Sequence, residues 1–214
     1  MFTDRKDAGI QLGEALEEYS GEDVLTLGIP RGGVEVAHHV ARILDSDFSI
    51  LVTRKLPLPN NPEAGFGAIA EDGSMYIIPE AKSWVSRENR ERIKRIQKEE
   101  IRRRIEALRG GRDLPDISGR TVILVDDGIA MGSTMSASIE MCKNTGAEKV
   151  IAAAPVGSPR SVDKISSRAD RVLVLERPRS FRAVANYYEN WYDVPDEEVI
   201  EIMEKRRSES ASQK

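Results

Sequence analysis

Two stretches of this chain pass directly from an apolar run, through a turn of small residues, into a helical pattern, and they restrict its fold more than any other feature. In the first, the run 24–29 leads through Pro30-Arg31-Gly32-Gly33 into a stretch carrying Val34, Ala37, Val40, Ala41 and Leu44. In the second, the run 121–125 leads through a loop over 126–132 into a helix predicted over 133–144. Strands that read as continuous apolar runs are buried on both faces, and strands alternating with helices build a parallel sheet. The rhythm continues with a strand over 149–154, a helix over 158–168 and a strand over 172–175, while 48–53 supplies another apolar strand. The expected fold is α/β, an open and mostly parallel sheet flanked by helices.

Other segments depart from that rhythm. Asp4 is placed to cap an opening helix in which Ala8, Leu12, Ala15, Leu16 and Tyr19 recur at helical spacing. The second apolar strand ends on Arg54-Lys55 and enters a Pro- and Asn-rich loop over 56–62. Residues 64–78 read as two β-rich runs around Glu71-Asp72-Gly73-Ser74, a hairpin signal. Ser86 then opens a long charged helix that Gly110-Gly111 stops, with Ile93, Ile96, Ile101, Ile105 and Leu108 as its packing face. An aromatic stretch over 181–192 precedes a closing helix, where Pro195 suits the first turn and Asp196-Glu197-Glu198 complement the dipole. One domain over 1–207 is expected. It carries an insertion of hairpin and helix at about 64–115 and further elements at about 178–207, with 208–214 as a flexible tail.

Composition narrows the function. Hydrophobic residues make up 40% and charged residues 32%, the profile of a soluble globular domain, and no apolar run approaches the roughly 20 residues of a membrane span. The first residues hold no apolar leader segment, so a cytoplasmic location and no membrane partner are expected. A single cysteine, Cys142, excludes an internal disulfide framework and reads as core, as do the neighbouring His38 and His39, which should point apart. The net charge of −4 argues against a nucleic-acid coat, but it conceals segregation: 84–112 carries +6 and the remainder −10.

The chemistry concentrates at Val122-Ile123-Leu124-Val125-Asp126-Asp127-Gly128-Ile129-Ala130-Met131-Gly132-Ser133-Thr134. A buried strand delivers two carboxylates to its C-terminal end, where open α/β sheets bind ligands. The following helix N-terminus offers free amides and a positive dipole end to a phosphate, with the hydroxyls of Ser133 and Thr134 beside them. The carboxylates suit sugar hydroxyls or a hydrated Mg²⁺. A ribose carrying a phosphate fits that layout.

These thirteen residues resemble the PRPP-binding signature of the type I phosphoribosyltransferases. Leu27-Gly28-Ile29-Pro30-Arg31-Gly32-Gly33-Val34 is similar to the pyrophosphate loop of that family. Arg54-Lys55 stands where the family has, there or in the flexible loop that follows, a basic residue that helps neutralise the departing pyrophosphate. With Gly67-Ala68-Ile69-Ala70, the charged helix and the segment from Phe181 to Val199, the likeness reaches a prokaryotic subgroup of predicted phosphoribosyltransferases over nearly the whole chain. The resemblance implies a Rossmann-like sheet with a small hood. It implies Mg²⁺-dependent transfer of a 5-phosphoribosyl group from PRPP to a nitrogenous acceptor, with pyrophosphate released. It assigns Gly128, Ile129, Ala130, Met131, Gly132, Ser133 and Thr134 to the 5′-phosphate. Asp126 and Asp127 go to the ribose and, through water, to the metal; Pro30, Arg31, Gly32 and Gly33 go to pyrophosphate. Lys55, Arg54 and Asp127 are the expected catalytic groups. The acceptor would meet a hood built from 66–78 or from Phe181, Tyr187, Tyr188, Trp191 and Tyr192. Two positions depart from the family: Met131 replaces a common threonine, and Ala130 replaces the carboxylate of many purine salvage enzymes. A homodimer is expected, with nucleic acid absent from the partners. The alternative is a PRPP-sensing regulator that contacts nucleic acid through the basic helix at 87–112.

Overall fold

A computed structural model describes residues 1–212. Five parallel strands, β1 (Val24–Gly28), β2 (Asp47–Ile50), β6 (Thr121–Val125), β7 (Lys149–Val156) and β8 (Arg171–Glu176), form the main sheet in the order β2-β1-β6-β7-β8. Between β2 and β6 the chain leaves this sheet. There it builds a three-stranded antiparallel sheet from β3 (Thr53–Leu58), β4 (Asn61–Ala70) and β5 (Met75–Ile77).

Alternate residues of the central strands feed two cores. Leu25, Leu27, Val122, Leu124, Val150 and Ala152 pack with Met135 and Ile139 of α4 (Ser133–Asn144) and with Val162 and Ile165 of α5 (Pro159–Ser166). Val24, Ile123, Val125, Ile151 and Ala153 pack on the opposite face with Leu12 of α1 (Arg5–Glu14) and with Val36, Ala37 and Val40 of α2 (Gly32–Leu44). Both faces are covered, as continuous apolar strands require.

The helices start where the sequence places them. The Asp4 carboxylate accepts the Asp7 N–H at 2.8 Å to cap α1, and the Ser86 hydroxyl accepts the Asn89 N–H at 3.3 Å to cap α3 (Arg87–Arg109). Gly110, at φ +63°, ends α3 in the left-handed conformation. Through Ile93 and Ile101 this helix covers one face of the antiparallel sheet at Leu56, Phe66 and Ile69, while Ala68 and Tyr76 meet Ala137 of α4. The hood is thus held between α3 and α4.

Five expectations change. The apolar run 48–53 is not one strand: β2 stops at Ile50, and Thr53 begins β3, so Arg54-Lys55 lies inside the hood sheet and not at the end of a core strand. The inserted sheet consequently begins at Thr53, ahead of 64, and most of the predicted loop at 56–62 belongs to its first hairpin. Ile96 is exposed, whereas Gln97 is buried in its stead. The closing helix α6 (Asp196–Ser212) runs on through residues expected to be a flexible tail, and residues 213–214 lie outside the described residues. Cys142 is fully buried and burial pushes its thiol up to about 12, in keeping with a core role. His38 and His39 do not point apart; their rings meet edge-on at 5.1 Å. Among the described residues no helix is long and apolar enough to cross a membrane.

Candidate active site

The sheet order locates the site. From β1 the chain goes through α2 to β2 on one side; from β6 it goes through α4 to β7 on the other. The loops after β1 and β6 therefore part at the sheet's topological switch point, the crevice where α/β sheets bind ligands. With Gly28 in register against Val125, the Pro30–Gly33 turn lies directly beside Asp126-Asp127. The contact is close enough to demand glycine. A Cβ at Gly33 would stand 2.8 Å from the Asp126 Cα and the Val125 carbonyl, and one at Gly32 would overlap the Asp127 carboxylate.

The phosphate-loop candidate is tied down from behind. The Ala130 carbonyl accepts hydrogen bonds from the hydroxyls of Ser158, at 3.0 Å, and Ser161, at 2.6 Å. The Ile129 carbonyl accepts the Ser158 N–H at 2.9 Å. Carbonyl and N–H of one trans peptide point in opposite directions. Anchoring these carbonyls on the α5 side therefore turns the N–H groups of Ala130 and Met131 the other way, towards the cleft. Gly132 takes the left-handed conformation, φ +73°, at the N-cap of α4, and the first amides of that helix have no intrahelical acceptor. The Ser133 hydroxyl is buried and has no partner. Ser158 and Ser161 lie outside the motifs read from sequence; a serine pair at the start of α5 carries no signal until that loop is seen against 128–132.

A cleft of about 240 Å³ opens at this point. Lys55, Asp126 and the run from Gly128 to Thr134 line it, with Met131 exposed at its mouth. Hood residues Glu63, Gly65 and Gly67 form the opposite wall. Lys55 Nζ donates to the Glu63 carbonyl at 2.8 Å. Arg54 and Lys55 are neighbours on a strand and point to opposite faces. Arg54 accordingly turns to α3, where its Nε donates to Gln97 Oε1 at 3.3 Å, and the structure does not bring it into this cleft. Arg31 lies on the loop after β1, in a partly exposed ion pair with Asp196 at 3.3 Å.

The two acids differ in their surroundings. Asp126 Oδ1 accepts the Asp127 N–H at 2.9 Å, and burial, then the neighbouring Asp127 charge, raises its carboxyl well above the usual range. Burial also raises Asp127, but Arg5 pulls it back: Nε of Arg5 donates to Asp127 Oδ2 at 3.0 Å. The ion pair of Arg5 is with Asp127, and a divalent cation beside the acid pair would favour the ionised Asp126 that burial opposes. Among the described residues no cluster of three ligating side chains could cage a metal alone. The donor set thus matches Mg²⁺, which commonly binds through one or two carboxylates with water and substrate oxygens completing its shell.

The aromatic stretch does not line the cleft. Trp191, Tyr192 and Tyr188 surround the Arg5 guanidinium, with ring centroids 4.1, 5.3 and 5.9 Å from Cζ, and the Tyr188 hydroxyl donates to the Asp127 carbonyl at 2.7 Å. Phe181 stacks on Tyr187 at 5.6 Å. Arg5 was missed from sequence. Its signal was there: position 5 falls on the row occupied by Ala8 and Leu12, so a charge stands where α1 buries apolar residues.

Comparison with known proteins agrees with the geometry. The family described as phosphoribosyl transferase domain matches residues 7–189. A Mycobacterium tuberculosis (strain H37Rv) protein provisionally named phosphoribosyl transferase is 38% identical over 99% of this chain, which spans 48% of that relative's length. The crystal structure of TT1426 from Thermus thermophilus superposes with a TM-score of 0.81 at 39% identity, covering 94% of this chain and 97% of that one. For the fold alone, a purine phosphoribosyltransferase from Pyrococcus horikoshii aligns with a TM-score of 0.50 at 19% identity, over 89% of this chain and 91% of its own. The match over most of the chain, together with a relative at 38% and a solved structure at 39% identity, shows the family: this chain belongs to the phosphoribosyl transferase domain family.

Proposed function

We propose that this chain transfers a 5-phosphoribosyl group from PRPP to a nitrogenous acceptor, a nucleobase in the first instance, with release of pyrophosphate. The observation that carries the reading is one β–α crossing bearing both an acid pair and an anion cradle. The cradle's carbonyls are tied behind it, and it holds a buried, unpartnered Ser133 hydroxyl.

In this reaction the bond from the anomeric carbon to pyrophosphate breaks with its electron pair, and an acceptor nitrogen forms the new bond. Positive charge develops on the ribose while negative charge builds on the departing group. The protein supplies no nucleophile; positioning and preorganised charge lower the barrier. The amides and hydroxyls of 128–134 hold the 5′-phosphate, Asp126 and Asp127 orient the ribose hydroxyls, and Lys55 with the Pro30–Gly33 loop faces the pyrophosphate. Arg31 reaches it by leaving Asp196, a half-exposed pair of the kind that contributes about 0–1 kcal/mol. Asp126 and Asp127 would hold Mg²⁺ through water, and its charge would offset that of the leaving group.

Incubation with PRPP, Mg²⁺ and a panel of purine and pyrimidine bases, with pyrophosphate as readout, tests the proposal. Release that depends on one base or a few supports it. Lys55→Ala and Asp127→Asn should each lower that rate by about 10²-fold or more, the effect of losing one preorganised group. Lys55→Ala should leave the melting temperature little changed, whereas Asp127→Asn, which strands the buried Arg5 guanidinium, should lower it. Binding of PRPP without release in the presence of any base would instead favour the PRPP-sensing alternative.

A further inference from the structure

We infer that Arg5 is a positioning residue of this site, fixing the Asp127 carboxylate against the incoming phosphorylated pentose; the inference rests on the ribose role proposed above. Arg5 reaches the site from α1, outside both nucleotide-binding motifs. Its side chain is 3% exposed and that of Asp127 17%. Burying a guanidinium is costly unless pairing and hydrogen bonds compensate, and hydrophobic residues of similar volume often replace such pairs without loss of stability. Here compensation is incomplete. Nε serves Asp127 at 3.0 Å, but Nη1 is buried without a hydrogen-bond partner. Neighbouring members of the same helical row, Ala8 and Leu12, are apolar, so the packing of α1 does not call for a charge at this point.

The surroundings restrict the arginine to one pose. Trp191 lies over the guanidinium with its centroid at 4.1 Å, and Tyr188 and Tyr192 close the sides. Gly32 presses from the pyrophosphate-loop side: a Cβ there would stand 2.8 Å from Arg5 Nε. Tyr188 also holds the Asp127 backbone carbonyl. Three separate segments thus converge on Asp127: Arg5 and Gly32 at its carboxylate, and Tyr188 at its backbone carbonyl. Errors of about 1 Å in such a group cost roughly 10²-fold in rate.

Trp191 provides a readout independent of turnover. The chain has two tryptophans, so Trp84→Phe leaves Trp191 alone, on the face of Arg5. In that background, PRPP titrated with Mg²⁺ should change the Trp191 emission saturably. Arg5→Met should weaken PRPP binding about tenfold or more, and Arg5→Lys by a smaller factor, since lysine keeps the charge but lacks the planar fork. Because Arg5 acts through Asp127, Arg5→Met should add less than twofold in an Asp127→Asn background. Unchanged affinity in Arg5→Met, or losses that multiply in the double variant, overturns the inference alone. Should Arg5→Met not fold, Arg5→Lys in the two backgrounds decides by the same criterion. A parent protein that does not bind PRPP overturns the reading of the site, and the inference with it.

Discussion

Lys55 and Arg54 show what a single residue of register decides. Both were expected to face the departing pyrophosphate, but strand alternation turns one to the cleft and the other to Gln97 on α3. Lys55→Ala is therefore expected to cost at least tenfold more in kcat than Arg54→Ala; equal losses would mean that Arg54 reaches the reacting groups after all. Met131 gives a prediction of opposite sign. It is 54% exposed at the cleft mouth, so replacing it should alter stability by no more than about 0.5 kcal/mol. Met131→Thr adds a hydroxyl beside the phosphate cradle and should lower KM for PRPP several-fold, and an unchanged KM would show that the amides already saturate the phosphate. The residues of both loops were legible in the sequence because backbone geometry demands small side chains at fixed spacing. Ser158 and Ser161 were not, since each acts through a partner more than 25 residues away and nothing local marks it. For Arg5 the local signal is a charge on the buried row of α1, but nothing near it in sequence points to Asp127.

At the scale of elements, α3 is fastened by Arg109 as well as by its apolar face. Its guanidinium donates to Glu71 at 2.8 and 3.2 Å and to the Ile50 carbonyl at 3.0 Å, with the two side chains 4% and 8% exposed. Glu71 in turn accepts the Val52 N–H at 2.9 Å, so one ion pair ties α3, the hood and the end of β2 together. Removing one partner of a buried pair strands the other charge, and Arg109→Met should destabilise by about 3–5 kcal/mol in denaturant unfolding; a loss below about 1 kcal/mol would show the pair to be dispensable. A second element-scale effect concerns α2. Burial, reinforced by His39 and the cations Arg206, Lys205 and Arg42, brings His38 down to about 4. The unfolded chain takes up this proton near pH 6.5 and the folded one resists until about 4. Stability on this account is complete above pH 6.5 and falls as pH drops towards 4. His38→Asn should flatten that part of the curve by about 2 kcal/mol between about pH 7 and 5. Identical slopes in the variant and the parent would contradict it. The helices and core strands were readable because caps and apolar periodicity are local. The separation of β3 from β2 was not: the run 48–53 holds no glycine or proline that would mark a break, and whether it continues one sheet or enters another depends on the hairpin that β4 offers to Thr53 and its neighbours.

Across the whole molecule, the charged helix keeps Arg87, Arg92, Arg95, Lys98 and Arg102 exposed, but Glu88, Glu91, Glu99, Glu100 and Glu106 interrupt that basic face. Arg103 and Arg104 bind Glu100, Lys94 binds Glu91, and Arg109 is buried against Glu71. Nucleic-acid binding should accordingly be weak, without the steep salt dependence that several phosphate contacts would produce. Retention of RNA or DNA that falls by orders of magnitude between about 50 and 200 mM salt would revive the regulatory alternative. The parallel sheet could be anticipated from the β–α rhythm, and with it the edge where both loops meet. The identity of the acceptor could not: of the aromatic residues expected to receive it, Tyr188, Trp191 and Tyr192 surround Arg5, and Phe181 and Tyr187 stack on each other. The most direct test of the central claim is a crystal structure with PRPP and Mg²⁺. The 5′-phosphate should lie within hydrogen-bonding distance of the amides at 128–134 and of Ser133 Oγ, with the ribose hydroxyls on Asp126 and Asp127. A sugar bound elsewhere, or a phosphate that leaves those amides untouched, would contradict the account.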